Sequence, residues 1–249
     1  MKKLTLLAAA LLVSACGDQG NNTAAVSNAP LTPVAAPNGG DWTQMVRQTP
    51  EGGMLMGNPD AKVKVVEFGS MTCHVCAEFS EEADQKLREQ YVKSGQVSFE
   101  FRNFVRDGAD LAASLITRCA GPTPQFFRLT EAMYANQEQF LNRLQAIPPE
   151  QGQALQSLPP AQQFQQLAKL TGLQEFAAQR GLPSGRTSQC LSNQAEIDRL
   201  VQMNSDASSQ YQIPGTPTFL INGEVVGAPE SGQTNWQNLE RRIREALGS

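Results

Sequence analysis

Residues 73–76 read Cys-His-Val-Cys. They follow an apolar run, Val63-Lys-Val-Val-Glu-Phe68, and precede a segment whose apolar residues recur at helical spacing. Two thiols separated by two residues close a small disulfide with little strain when the first sits at a helix N-terminus. There the unpaired backbone N–H groups and the helix dipole stabilise its thiolate. The thiolate is both the attacking and the leaving species in thiol–disulfide exchange, so its stability controls rate and redox poise. Cys73 and Cys76 are therefore read as a redox dithiol. The competing chemistry for this spacing is half of a zinc site, which needs two further ligands. The chain's single histidine, His74, lies inside the motif, and Cys119 and Cys190 stand apart from the motif and from each other.

The elements that must position the motif are legible around it. Val63 to Phe68 reads as a buried strand, preceded by the turn Asn58-Pro59-Asp60 and by a short edge strand at Met54 to Met56, with folded structure starting near Gly53. The helix after the motif keeps Cys76, Phe79, Ala83, Leu87 and Tyr91 on one face. A second strand runs from Val97 to Phe104, where Val97, Phe99 and Phe101 alternate with polar residues. From Asp107 to Leu191 the pattern is helical and polar, interrupted by Pro148-Pro149 and Pro159-Pro160, with a Gln-rich surface stretch from Gln151 to Gln166. Asn193 and Glu196 form a capping box for a helix to Tyr211. Thr218 to Ile221, the turn Asn222-Gly223, and Glu224 to Val226 predict a hairpin. A last helix buries Trp236, Leu239, Ile243 and Leu247.

The N-terminus reads as an export signal. Lys2 and Lys3 precede an apolar run, Leu4 to Val13, of about ten residues, too short for a permanent membrane span. Val13-Ser-Ala-Cys16 resembles the lipobox of bacterial lipoproteins, which implies a signal peptide over 1–15, lipidation of Cys16 and a flexible tether over 16–53. The lipid would hold the protein to the membrane at about 0.8 kcal/mol per buried CH₂. The chain carries 20 basic and 24 acidic residues, a net charge of −4, and processing would remove two lysines and leave −6. Without a basic cluster, nucleic acid is not expected as a partner. In an exported setting, Cys119 and Cys190 are most simply a structural disulfide. Two unpaired buried thiols are the alternative, because Cys119 falls on the apolar stripe of Ala112, Leu115 and Ile116.

Strand, helix, strand, helical insert, helix, hairpin and helix is the order of an α/β thioredoxin fold carrying an inserted helical domain. Two segments, Glu67-Phe-Gly-Ser-Met-Thr-Cys-His-Val-Cys76 and Gly215-Thr-Pro-Thr-Phe219, make the chain resemble the DsbA-like branch of the thioredoxin superfamily over residues 54 to 247. The boundaries implied are 54–106 and 193–249 for the thioredoxin fold and 107–192 for the insert. The resemblance implies a cis peptide before Pro217, packed against the active-site disulfide. It also implies substrate pairing by the backbone of Thr216 beside Gly215, and a proton-transferring buried acid at Glu67. Cys73 becomes the exposed nucleophile and Cys76 the resolving residue, with no bound cofactor or metal. Reduced exported polypeptides are the implied substrates and a membrane redox partner the source of oxidation. The setting is the periplasmic side of a bacterial membrane, and a monomer is expected.

Two departures bear on direction. His74 takes the first place between the cysteines, where DsbA has proline, and could stabilise the thiolate when protonated. Val75 takes the second and offers no hydrogen bond. The potential is thereby bracketed between about −120 mV for DsbA and about −270 mV for thioredoxin. Thr216 also occurs before the cis proline in disulfide isomerases, the second reading. A copper-binding lipoprotein of the same fold, using soft thiolates for Cu(I), and a partner-binding module without turnover are the readings from other classes.

Overall fold

The computed structural model describes residues 31–248. Cys16, the signal segment 1–15 and the first part of the tether lie outside the described residues. Among the described residues, six strands form one sheet in the order β1-β2-β4-β3-β5-β6. They are β1 (Val46–Gln48), β2 (Met54–Gly57), β3 (Val63–Gly69), β4 (Val97–Asn103), β5 (Thr218–Ile221) and β6 (Glu224–Val225). Only β3 and β4 run parallel, and β5 pairs antiparallel with the other side of β3. The C-terminal end of the central strand is thus flanked on both sides. Parallel pairing requires a crossover, and helix α1 (His74–Lys86) supplies it.

Alternation along β3 divides its side chains between two layers. Val63 and Val65 join the main core, with Phe79 and Ala83 of α1 and Trp236, Leu239 and Ile243 of α10 (Asn235–Leu247). Val66 and Phe68 face the other way, toward Ala207 of α9 (Gln194–Tyr211). Glu67 shares the parity of Val63 and Val65, so it enters the layer beneath α1. The β3–β4 register sets it opposite Phe101. Gly69 is required next to it: a Cβ there would lie 2.5 Å from the Phe101 ring and 3.0 Å from Glu67 Oε1.

Seven helices occupy the chain between β4 and α9: α2 (Gly108–Arg118), α3 (Pro124–Ala135), α4 (Gln137–Gln145), α5 (Pro149–Gln156), α6 (Pro160–Leu170), α7 (Leu173–Ala178) and α8 (Ser184–Leu191). The prolines that interrupt the pattern begin helices: Pro149 and Pro160 stand at first helical positions, where the missing N–H is no loss. The Gln-rich stretch is likewise α5 and α6, anchored by buried Leu155 and Phe164.

Cys119, at the end of α2, and Cys190, in α8, are disulfide-bonded with a Cα–Cα distance of 5.7 Å. The bridge closes a sequence separation of 71 residues. In a Cys73→Ala/Cys76→Ala background, Cys119→Ala/Cys190→Ala is expected to lower unfolding stability by about 4 kcal/mol, the chain-entropy value for a loop of that size. Urea unfolding followed by circular dichroism checks it, and an unchanged midpoint refutes it.

Three sequence expectations are corrected. Residues 41–53, read as tether, are part of the fold: Trp42 is buried, its Nε1 donates to the Val34 carbonyl at 2.8 Å, and β1 extends the sheet by pairing with β2. One indole seated against Gly95 anchors a stretch whose average composition is too polar to signal folding. The hairpin turn is where it was read, with Asn222 at φ 51° and Gly223 at φ 91°, but β6 ends one residue early. At α9, Asn193 caps the amide of Glu196 without the reciprocal bond, because the Glu196 carboxylate is engaged by buried Arg118 of α2.

Candidate active site

Cys73 is the N-cap residue of α1, with extended backbone (φ −88°, ψ 119°), so its sulfur sits where the first amides of the helix are unpaired. Both thiols are free and buried: Cys76 is 0% exposed, and Cys73, expected to be the exposed sulfur, is only 5% exposed. The Thr216–Pro217 peptide is cis, and the loop it shapes brings the Thr216 carbonyl to 3.2 Å from Cys73 Sγ, which donates to it. Gly215, Thr216 and Pro217 remain partly exposed beside the sulfur. The Gly215 carbonyl is held by Thr218 Oγ1 at 2.7 Å. Five of the residues singled out from sequence, Cys73, Cys76, Gly215, Thr216 and Pro217, therefore converge at one end of β3 and β5, with Glu67 beneath α1.

The two thiols are electrostatically unlike. The bond to the Thr216 carbonyl favours the protonated form of Cys73. Against it act a hydrogen bond from the Cys76 thiol, the largest influence, together with the Cys76 amide and the Arg106 charge. These also overcome burial and bring the Cys73 thiol down to about 5. Cys76 is pushed far up, first by burial, then by giving its hydrogen bond to Cys73 and by the nearby Glu67. Glu67, 2% exposed, is raised well above the carboxylate range by burial, with Asp84 and Cys73 adding to it. At neutral pH the arrangement holds one thiolate, one thiol and a carboxyl group ready to exchange a proton.

His74 does not supply the cation. Its side chain is 80% exposed and pairs with Glu78 at 3.2 Å, a surface contact of little strength. The positive charge acting on Cys73 is Arg106, which the sequence did not point to. Arg106 lies in the loop after β4 and clamps the segment leading into the motif. Its Nε donates to Ser70 Oγ at 3.0 Å, and one Nη donates to the Thr72 carbonyl and hydroxyl at 2.5 and 2.9 Å. Two residues of the helical insert complete the clamp. Asp110 of α2 accepts from Ser70 Oγ, the Met71 amide and the Arg106 amide at 2.6, 2.8 and 3.0 Å. Gln137 of α4 donates to the carbonyls of Met71 and Cys73, each at 2.9 Å. No local pattern marks these three, since each acts across more than thirty residues of chain. Among the described residues, no cluster of three His, Cys, Asp or Glu side chains is arranged to hold a metal ion.

A thioredoxin-fold sheet, a dithiol at the start of α1 and a cis proline facing it define a class. A thioredoxin family model matches residues 49–243, and the chain belongs to that family. The crystal structure of a protein-disulfide isomerase from Novosphingobium aromaticivorans superposes with a TM-score of 0.70 at 34% identity, covering 78% of this chain and 97% of that one. Wolbachia pipientis alpha-DsbA1 shares the fold at a TM-score of 0.59 and 22% identity, over 78% of this chain and 90% of that one. A Rickettsia conorii protein assigned as a protein-disulfide oxidoreductase is 25% identical over 174 residues, 70% of this chain. The chain spans 54% of that relative's length.

Proposed function

We propose that the protein is a thiol-disulfide oxidoreductase that introduces disulfides into exported polypeptides, anchored by a lipid on Cys16 to the periplasmic side of a bacterial membrane and working as a monomer. The observation that carries this reading is the asymmetry of the two thiols. A Cys73 thiol lowered to about 5 is a good leaving group, which favours the reduced dithiol and makes the disulfide an oxidant. A substrate thiolate attacks Cys73 of the Cys73–Cys76 disulfide, and Cys76 departs and takes up a proton. A second substrate thiol then displaces the Cys73 thiolate, leaving a substrate disulfide and the reduced dithiol. The partly exposed edge at Gly215, Thr216 and Pro217 is the surface on which a substrate backbone would lie, and the sequential reoxidation calls for a membrane redox partner. Glu67 exchanges the Cys76 proton, and Arg106 steadies the thiolate in place of His74. The 41–106 and 193–248 segments form the thioredoxin unit and 107–192 the insert that clamps the loop before Cys73.

Disulfide isomerisation is the second reading, favoured by the name of the Novosphingobium relative. Equilibration of residues 31–249 with glutathione buffers tests between them. A potential well above about −180 mV, the level of protein disulfide isomerase, is expected for a disulfide donor. A value near about −270 mV, that of thioredoxin, overturns it. Cys73→Ser is expected to abolish exchange.

A further inference from the structure

Cys76 has no route to solvent of its own. Each time the disulfide forms it must lose a proton, and Glu67, the group placed to accept it, is buried as well. Beneath Glu67 lies a cavity of about 20 Å³, lined by Glu67, Asp84, Arg88, Thr130, Glu131 and Tyr134 among apolar side chains. That is room for one water, which needs two to four polar partners. The partners are there. Of the five buried side-chain polar atoms without a partner among the described residues, three line this cavity: Glu67 Oε1, Thr130 Oγ1 and Tyr134 Oη. Such atoms are costly to leave bare.

The cavity has an outer neighbour. A groove of about 820 Å³ between α1 and the α3–α4 pair opens beside His74, and Asp84, Glu131 and Tyr134 line both it and the cavity. Asp84 is mostly enclosed but keeps some exposure, Ser80 Oγ donates to it, and Glu131 is paired with Arg88. A path from Cys76 outward therefore runs by Glu67, the cavity and Asp84 to the groove.

Resting on the oxidoreductase reading, we infer that Asp84 is the outer station of a proton relay that loads and unloads Glu67 through the cavity. The Cys73 thiolate attacks an external disulfide and releases one thiolate. The Cys76 proton passes to Glu67 and, through the water and Asp84, to solvent. The Cys76 thiolate then attacks the Cys73 sulfur and expels the second thiolate, so that one disulfide is reduced and one is formed. Facing Asp84 are Glu67 from β3, Glu131 and Tyr134 from α3, and Arg88 beyond its own helix. Burial and Glu131 raise the Asp84 carboxyl to about 7, against the Ser80 hydrogen bond and Arg88, which suits transfer in both directions near neutrality.

The test is oxidation of the reduced protein by glutathione disulfide at saturating concentration, where the intramolecular step at Cys76 is first-order and separable from the bimolecular step at Cys73. Asp84→Asn is expected to slow the first-order step about tenfold, below the 10²–10⁴-fold of a direct acid or base. It should also erase that step's pH inflection near 7 and leave the bimolecular step unchanged, and Asp84→Glu should restore the profile. Thr130→Val, which removes a water partner while keeping the volume, should slow the same step. An unaltered first-order pH profile in Asp84→Asn, or in Thr130→Val should Asp84→Asn not fold, overturns the relay. A wild-type protein that does not react with glutathione disulfide at Cys73 overturns the oxidoreductase reading instead.

Discussion

Reduced protein is expected to develop one thiolate near pH 5, seen in its ultraviolet absorbance, and no second one at any pH at which the protein stays folded. The cause is the geometry at the head of α1. The Cys76 thiol donates to Cys73, so one sulfur holds the charge that the other cannot, and the buried Cys76 rises as Cys73 falls. Cys76→Ala removes that donor and should move the Cys73 titration up by about one unit or more, at 1.36 kcal/mol per unit. Cys76→Ser keeps a donor and should move it less. The same asymmetry sets the proton count of the redox couple. Between pH 6 and 8, reduction of the disulfide takes up one proton per two electrons, and the potential falls by about 30 mV per pH unit. Below pH 5 it takes up two, and the slope doubles to about 59 mV. A slope of about 59 mV across the whole range would mean that Cys73 is a thiol at neutrality, and the proposed direction of exchange would lose its basis.

The residues behind this behaviour differ in how visible they are from sequence. Cys73 and Cys76 announce themselves by spacing, and Glu67 by its place in the apolar run: Val65, Val66 and Phe68 bury their neighbour whichever layer it enters. The Asn222-Gly223 turn is equally local, because left-handed backbone at two successive residues suits little else. Arg106, Asp110 and Gln137 carry no such mark. Each reaches the Ser70–Cys73 segment from a part laid down later in the chain: Arg106 from the loop after β4, Asp110 from α2 and Gln137 from α4. Trp42 is a parallel case on the stability side. Its burial depends on Gly95, whose φ of 74° and missing Cβ admit the indole, and the average composition of residues 16–53 cannot register a pairing that distant. His74 shows the converse: proximity in sequence suggested a partner for Cys73, yet a helical residue one place into α1 points outward and meets Glu78 four residues on.

Asp110 is where the insert and the redox centre are coupled most strongly, and its removal should be correspondingly expensive. The side chain is fully buried and accepts three hydrogen bonds, and Ser70 and the Met71 amide are themselves enclosed. Asp110→Ala leaves those donors bare and is expected to lower stability by about 3 kcal/mol or more, and to raise the Cys73 titration as the Arg106 clamp loosens. The pH dependence separates this carboxyl from simple packing. Burial raises Asp110 from 3.8 to about 6 despite the three donors, so its folded value lies above its unfolded one. Its contribution is then fully present below about pH 4 and is lost as the pH rises through 6, about 3 kcal/mol for a two-unit shift. Asp84, raised to about 7, acts in the same direction. In the oxidised protein, where neither Cys73 nor Cys76 titrates, urea midpoints should therefore fall from pH 4.5 to pH 7.5. Asp110→Asn, which cannot ionise, should flatten that fall. A midpoint that instead rises with pH over this window would show Asp110 to be an ordinary low-value carboxylate, held by its donors rather than opposed by its burial.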